Sequence, residues 1–132
     1  MMAGGRLIGV GTDIIECQRI ADMIEKHQQL FLQRVFTPAE IEYCSKNKIA
    51  VQHYAGRWAA KEAALKAIGT GWAKGIQWID IEILSQPGGR PVLHLHRAAL
   101  EIAGQQGIRE LLVSISHTQQ YAVAFVSAIG KD

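Results

Sequence analysis

A chain of 132 residues, 48% hydrophobic and 20% charged, has material for one ordinary core and is expected to fold as a single domain over residues 1–132. Fourteen basic residues against twelve acidic ones leave a formal charge of +2, with the cations scattered through the chain, which excludes a nucleic-acid stripe and allows only a local basic pocket. Cys17 and Cys44 lack CxxC spacing and suit a reducing compartment, while no apolar run reaches membrane length and no cleavage pattern follows Leu7–Val10; a cytoplasmic protein without a membrane partner is expected.

In chain order, Leu7 to Ile15 reads as a strand, its apolar residues punctuated by Gly9 and Gly11, where another backbone or a ligand is to come close. The strand delivers Asp13 near its end, as a turn or cap residue or as a metal ligand. Neither GxGxxG nor a Walker pattern is present, so no phosphate loop of those kinds is claimed. Cys17 to His27 has Ile20, Met23 and Ile24 at helical spacing, with Arg19 on the wet side. Leu30 to Phe36 forms a short apolar turn or helix over one edge of the core. Thr37, Pro38 and Glu40 then start another helix, with a capping box and proline at its first position, that carries Ile41 and Cys44 inward.

The central stretch is Tyr54 to Gly71, YAGRWAAKEAALKAIGTG. It predicts a helix with Trp58, Leu65 and Ile68 on a bulky face and a run of alanines on a smooth one, ending at Gly69; neither face looks solvated. Arg57, Lys61, Glu62 and Lys66 are set into it. A carboxylate at position 62 is costly to bury unless it is paired or bound to a cation, so these charges are either rim ion pairs or part of a site. The turn Gly69–Thr70–Gly71 is a helix cap or a phosphate cradle.

Further on, Trp78 to Ile83 reads as a half-exposed strand with Asp80 and Glu82 on its wet side, and the break at Gln86 to Pro91 returns it as a second strand with His94 and His96 solvated. A helix over Arg97–Gln106 turns Leu100 and Ala103 inward. Leu112–Ser116 and Tyr121–Ser127 form the last hairpin, in which Ser114 and Ser116 look at a polar surface and His117 stands at the strand end. The order gives an α+β domain with a mostly antiparallel sheet packed against a long central helix.

Three blocks in this order and spacing, GVGTDIIECQRI at Gly9–Ile20, YAGRWAAKEAALKAIGTG at Tyr54–Gly71 and VSISHTQQYAVA at Val113–Ala124, resemble the holo-acyl-carrier-protein synthases, small bacterial phosphopantetheinyl transferases, over nearly the whole chain. Tyr54 and Trp58 stand where phenylalanine is frequent, and Cys17 where an aliphatic residue is common. The resemblance implies the 4'-phosphopantetheinyl transferase fold and transfer of phosphopantetheine from coenzyme A to a serine of apo acyl carrier protein. It also implies Mg²⁺ held by Asp13 and Glu62, and phosphate clamps at Arg57, Lys61 and Lys66, with Lys66 among the catalytic residues. His117 and Thr118 would form a nucleotide-proximal turn, and Gly69 and Thr70 would line the same pocket. Arg19 would dock the acidic carrier, and a homotrimer would place active sites between subunits.

Overall fold

The computed structural model describes residues 5–131. Its elements follow the order β1 (Arg6–Glu16), α1 (Cys17–His27), α2 (Gln29–Val35), α3 (Pro38–Ser45), α4 (Ala50–Ile68), β2 (Ile81–Ser85), β3 (Pro91–Leu95), α5 (Arg97–Gln105), β4 (Ile108–His117) and β5 (Tyr121–Gly130). The expected α+β architecture is present, as two antiparallel sheets: a three-stranded one in the order β1-β5-β4 and a separate β2-β3 hairpin. β3 packs beside β4 without joining its ladder.

Helix α4 lies against the inner face of the larger sheet, and small residues set the approach. A side chain at Gly11 would collide with the carbonyl of Ala63, and one at Gly9 with the carbonyl of Ala67, so β1 runs directly along the alanine face of α4. The punctuation read as a close backbone contact is that contact. From β5, Ala122, Ala124, Val126 and Ala128 complete the same interface, all buried. On the other side of α4, Phe36, Tyr54 and Leu65 join Ile81 and Ile83 of β2 in the core, where burial of each large apolar side chain stabilises the fold by about 1.5–3 kcal/mol.

Local signals account for most boundaries. The capping box at Thr37 forms, with the Glu40 amide donating to Thr37 Oγ1 and the Thr37 amide to Glu40 Oε1, and Gly69 ends α4 in the left-handed region at φ 88°. α4 begins four residues earlier than the sequence suggests, because Ile49 precedes it without any side-chain cap and so leaves no signal to read. Three further expectations change. Asp80 is buried in a 3-10 turn, Trp78–Asp80, where it accepts from the Gln77 amide (3.0 Å) and Arg97 Nε (2.7 Å), so the strand starts only at Ile81. His96 is half-buried and sits 2.9 Å from Glu82, whose other oxygen takes the Thr37 hydroxyl. In α5, Ala99, Ile102 and Ala103 turn inward at helical spacing and leave Leu100 exposed.

Ser114 and Ser116 do lie on an outward row of β4, but their cross-strand neighbours are Phe125 and Val123. That face is therefore apolar rather than polar. Val10, Ile14, Leu112, Tyr121, Val123 and Phe125 are all exposed on it, Ile14 at 64% and Phe125 at 48%.

Candidate active site

Two groups of functional side chains sit along α4. The first is at its C-terminal half. β1 brings Asp13 to Lys66, whose ammonium lies 3.3 Å from Asp13 Oδ1 and donates to the Thr12 carbonyl at 2.8 Å. Glu62 stands one helical turn before Lys66 and shares its face, so Asp13, Glu62 and Lys66 occupy one edge of the helix–strand interface. Lys66 is more than half exposed, and its pairing with Asp13 is long enough to be weak. Glu62 has no cationic partner among the described residues; its Oε1 accepts from the indole N–H of Trp72 at 3.3 Å. The chain folds back to place Trp72 there because Gly69, Gly71 and Gly75 take positive φ in the turn that follows α4.

These groups fit a divalent cation of the Mg²⁺ type. Asp13 and Glu62 offer hard oxygen donors on an edge open to solvent, neither locked into a tight ion pair. Among the described residues no three His, Cys, Asp or Glu side chains gather as a cage, which suits an ion that keeps waters and takes substrate oxygens rather than zinc or an all-protein calcium site.

The second group is at the N-terminal half of α4. His53 and Arg57, one turn apart, face Tyr43 of α3 and His117 at the end of β4. The His53 ring lies 5.5 Å from Tyr43, nearly perpendicular, and 5.6 Å from His117. The Arg57 guanidinium is 4.4 Å above Tyr43, and its Nη2 donates to Ser85 Oγ at 2.9 Å, while its buried Nε has no partner among the described residues. Burial, and then the nearby Arg57 and His117, hold the His53 pKa below that of a free imidazole. Thr118 closes the adjacent turn, its hydroxyl accepting from the amides of Gln120 and Tyr121. Arg57 is itself buried, at 4% exposure, so the surface presented at the strand end is that of the His53, Tyr43 and His117 rings, on which an aromatic base can stack.

Lys61 does not belong to either group. It is wholly buried, pairs with Glu40 Oε1 at 2.8 Å, and donates also to the carbonyls of Trp78 and Ile81. An ammonium has three donors, and all three are used inside the protein. The expectation of a phosphate clamp at position 61 is corrected: it is a structural cation. The sequence could not separate it from Lys66 because both carry the same charge on one helix, and only the buried Glu40 decides between them.

Gly69 and Thr70 also part from His117 and Thr118. They lie at opposite ends of α4, and the sixteen-position step from His53 to Gly69 spans roughly 24 Å of helix. One copy of the chain does not bring them into one pocket. Arg19 is exposed on α1, and Met23, one turn on along the same face, lines a cleft of about 600 Å³ with Leu30, Phe31, Arg34, Trp58 and Trp78. His53, Tyr43 and Trp72 are the residues that reading the sequence did not select. The first stands one turn before Arg57 and the last directly follows the glycine turn, which are the only signals the sequence carries for them.

Comparison with known proteins places this geometry. Residues 9–126 match the 4'-phosphopantetheinyl transferase superfamily. A holo-[acyl-carrier-protein] synthase of Koribacter versatilis is 49% identical over 120 residues, covering 91% of this chain and 96% of that protein. Among solved structures, the Neisseria meningitidis holo-[acyl-carrier-protein] synthase superposes with a TM-score of 0.85 at 33% identity, over 93% of this chain and 98% of the other. The Helicobacter pylori holo-[acyl-carrier-protein] synthase in complex with coenzyme A gives 0.80 at 32% identity, over 90% and 98%. With that identity spread over nearly the full length, and with both α4 groups inside the matched span, the chain belongs to the holo-[acyl-carrier-protein] synthases of the 4'-phosphopantetheinyl transferase superfamily.

Proposed function

We propose that this protein transfers 4'-phosphopantetheine from coenzyme A to a serine of apo acyl carrier protein, as one catalytic domain over residues 1–132. The observation that carries the site assignment is the meeting of Asp13 with Lys66, one turn from a Glu62 that lacks a cationic partner among the described residues. The serine hydroxyl gives up its proton to solvent as its oxygen forms a bond to the pantetheine-bearing phosphorus of coenzyme A, and the bond to adenosine 3',5'-bisphosphate breaks. Asp13 and Glu62 would hold Mg²⁺, which when bound supplies neutralisation of the pyrophosphate charge. Lys66, half-exposed beside them, is placed to bind a phosphate oxygen and to follow charge onto the leaving group. Arg57, His117 and Thr118 would take the nucleotide end, with Gly69 and Thr70 bordering the phosphates.

A homotrimer with active sites between subunits supports this division of labour, since the two groups on α4 lie too far apart for the pocket assigned to Gly69, Thr70, His117 and Thr118 within one copy. The apolar outer face of β1-β5-β4 supplies the association surface. In the cell the enzyme would act in the cytoplasm and supply holo carrier for fatty acid biosynthesis; among the described residues no helix is long and apolar enough to cross a membrane.

Incubation with coenzyme A, Mg²⁺ and apo carrier tests the function. A carrier mass gain of one phosphopantetheine is expected, and coenzyme A cleavage without carrier modification would make the protein a hydrolase instead. Phe125→Glu sets a charge in the outer sheet face; sedimentation is expected to show monomers, with transfer lost alongside. A Phe125→Glu protein that remains trimeric and active removes this face as the interface.

Arg19, with Met23 and the adjoining cleft, forms the proposed carrier-docking surface, an arginine fork beside an apolar groove. Arg19→Glu is expected to raise the carrier KM about tenfold and to leave the coenzyme A affinity unchanged, with the defect shrinking as salt screens the repulsion. Kinetics at low and high salt check this; a normal carrier KM with weakened coenzyme A binding would move Arg19 into the nucleotide pocket.

A further inference from the structure

Trp72 lies outside every role assigned so far, yet its indole N–H is directed at the one carboxylate of the site that lacks a cation among the described residues. The bond runs from Nε1 to Glu62 Oε1 at 3.3 Å and leaves Oε2 without a partner among those residues. A donor on one oxygen of a carboxylate restricts its rotation and fixes where the second oxygen points.

The ring is held by an aromatic stack and not by regular backbone. Gly69, Gly71, Lys74 and Gly75 all have positive φ, so the segment carrying Trp72 has neither a helical nor a strand ladder to place it. Trp72 instead packs on Trp78 with ring centroids 4.0 Å apart, Trp78 on Trp58 at 4.3 Å, and Trp58 on Phe31 at 6.0 Å. The stack is anchored in turn, since the Trp78 carbonyl accepts from the buried Lys61 ammonium at 3.1 Å. A ring that served only as packing could be phenylalanine. The indole adds a donor at the edge that faces Glu62.

We propose that Trp72 is a positioning residue for Glu62: its indole N–H holds Oε1, so that Oε2 is presented to a divalent cation, and the stack Trp72–Trp78–Trp58 holds the indole. This rests on the reading that Asp13 and Glu62 bind such a cation. The stack also joins that carboxylate to the cleft beside α1, because Trp58 and Trp78 line the cleft. Replacement of the indole should therefore act on metal affinity chiefly through the donor and, more weakly, through the ring that holds it.

Two variants separate these. Trp72→Phe keeps a stacking ring and removes the N–H, whereas Trp72→Gln keeps a donor and removes the ring. Mn²⁺ is titrated calorimetrically into wild type, both variants and Glu62→Ala, each saturated with coenzyme A in the absence of carrier, and melting temperatures are recorded beside them. Trp72→Phe is expected to weaken Mn²⁺ binding about tenfold, the usual effect of removing a hydrogen bond that orients a ligating carboxylate, with its melting temperature close to wild type. Trp72→Gln is expected to melt earlier and to lose less Mn²⁺ affinity than Trp72→Phe, because its donor remains but is no longer held by the stack. Wild-type Mn²⁺ binding by Trp72→Phe, equal losses in both variants, or a loss in Trp72→Gln alone would each overturn the role of Trp72. If wild type does not bind Mn²⁺, or Glu62→Ala binds it as wild type does, the metal reading itself falls and takes the positioning role with it.

Discussion

Glu40→Ala is expected to destabilise this protein by about 3–5 kcal/mol, enough to remove most of the stability of a small domain. Glu40 is fully buried in α3, and its two oxygens serve three donors: Lys61 Nζ and the Thr37 amide on Oε1, and the Ile83 amide on Oε2. Truncation leaves a buried ammonium without its counter-charge, the Thr37 amide without its half of the capping box and an unpartnered amide in β2. Each loss is of the kind that costs most, a buried polar group deprived of its partner. Lys61→Met is the informative companion, since it leaves the Glu40 carboxylate with its two backbone donors and frees only the carbonyls of Trp78 and Ile81. It is expected to cost less than Glu40→Ala and to leave coenzyme A affinity unchanged. Urea unfolding at one fixed protein concentration, because an oligomer makes stability concentration-dependent, measures both. A Lys61→Met protein as stable as wild type but weak in coenzyme A binding would return Lys61 to the phosphates.

Glu40 also shows where a sequence is legible and where it is not. Its local role, the capping box, could be read from Thr37 and Pro38, because a cap is a relation between residues three apart. Its larger role joins α3 to α4 and β2 across positions 40, 61 and 83, and no local pattern records that. The same holds along the chain. The helix over Cys17–His27, the end of α4 at Gly69 and the final hairpin follow from periodicity and from glycine, and all three appear as expected. Asp80 and Leu100 depart from expectation because strand alternation and helical periodicity each predict a face from spacing alone. Asp80 is buried against a partner from α5, the largely exposed Arg97, and α5 turns Ala99 and Ala103 inward with Ile102.

The site was legible in type rather than in arrangement. Asp13 is brought to Lys66, one turn from Glu62, as the two blocks that carry the resemblance imply, since a strand that runs against α4 at Gly9 and Gly11 has little freedom in where it leaves Asp13. His117 and Arg57 gather instead with His53 and Tyr43 near the other end of the helix. That separation is what the proposed homotrimer would bridge, and the exposed Val10, Ile14, Val123 and Phe125 lie on the face proposed for it. Composition reports how much apolar surface a chain has; it does not report which part is left for another subunit.

Asp13→Ala and Glu62→Ala are each expected to reduce transfer at least about a hundredfold, the usual scale for losing a group that holds transition-state charge, while leaving the assembly folded. The folded state should survive because neither carboxylate closes a buried network. Among the described residues Asp13 pairs only with the half-exposed Lys66 and Glu62 only with the Trp72 indole, whereas β1 is held by its ladder with β5 and by its contact with α4. Removing Asp13 frees the Lys66 ammonium, so coenzyme A should bind Asp13→Ala at least as well as wild type in the absence of metal. The same variant should lose most of its Mg²⁺ affinity when coenzyme A is present. Calorimetry with and without Mg²⁺ therefore separates a metal role from a nucleotide role, which an activity assay alone does not. Circular dichroism and sedimentation confirm the fold and the oligomer. Retention of wild-type Mg²⁺ binding by both variants would remove the two carboxylates from the metal site and leave Lys66 as the reacting edge's only assigned group.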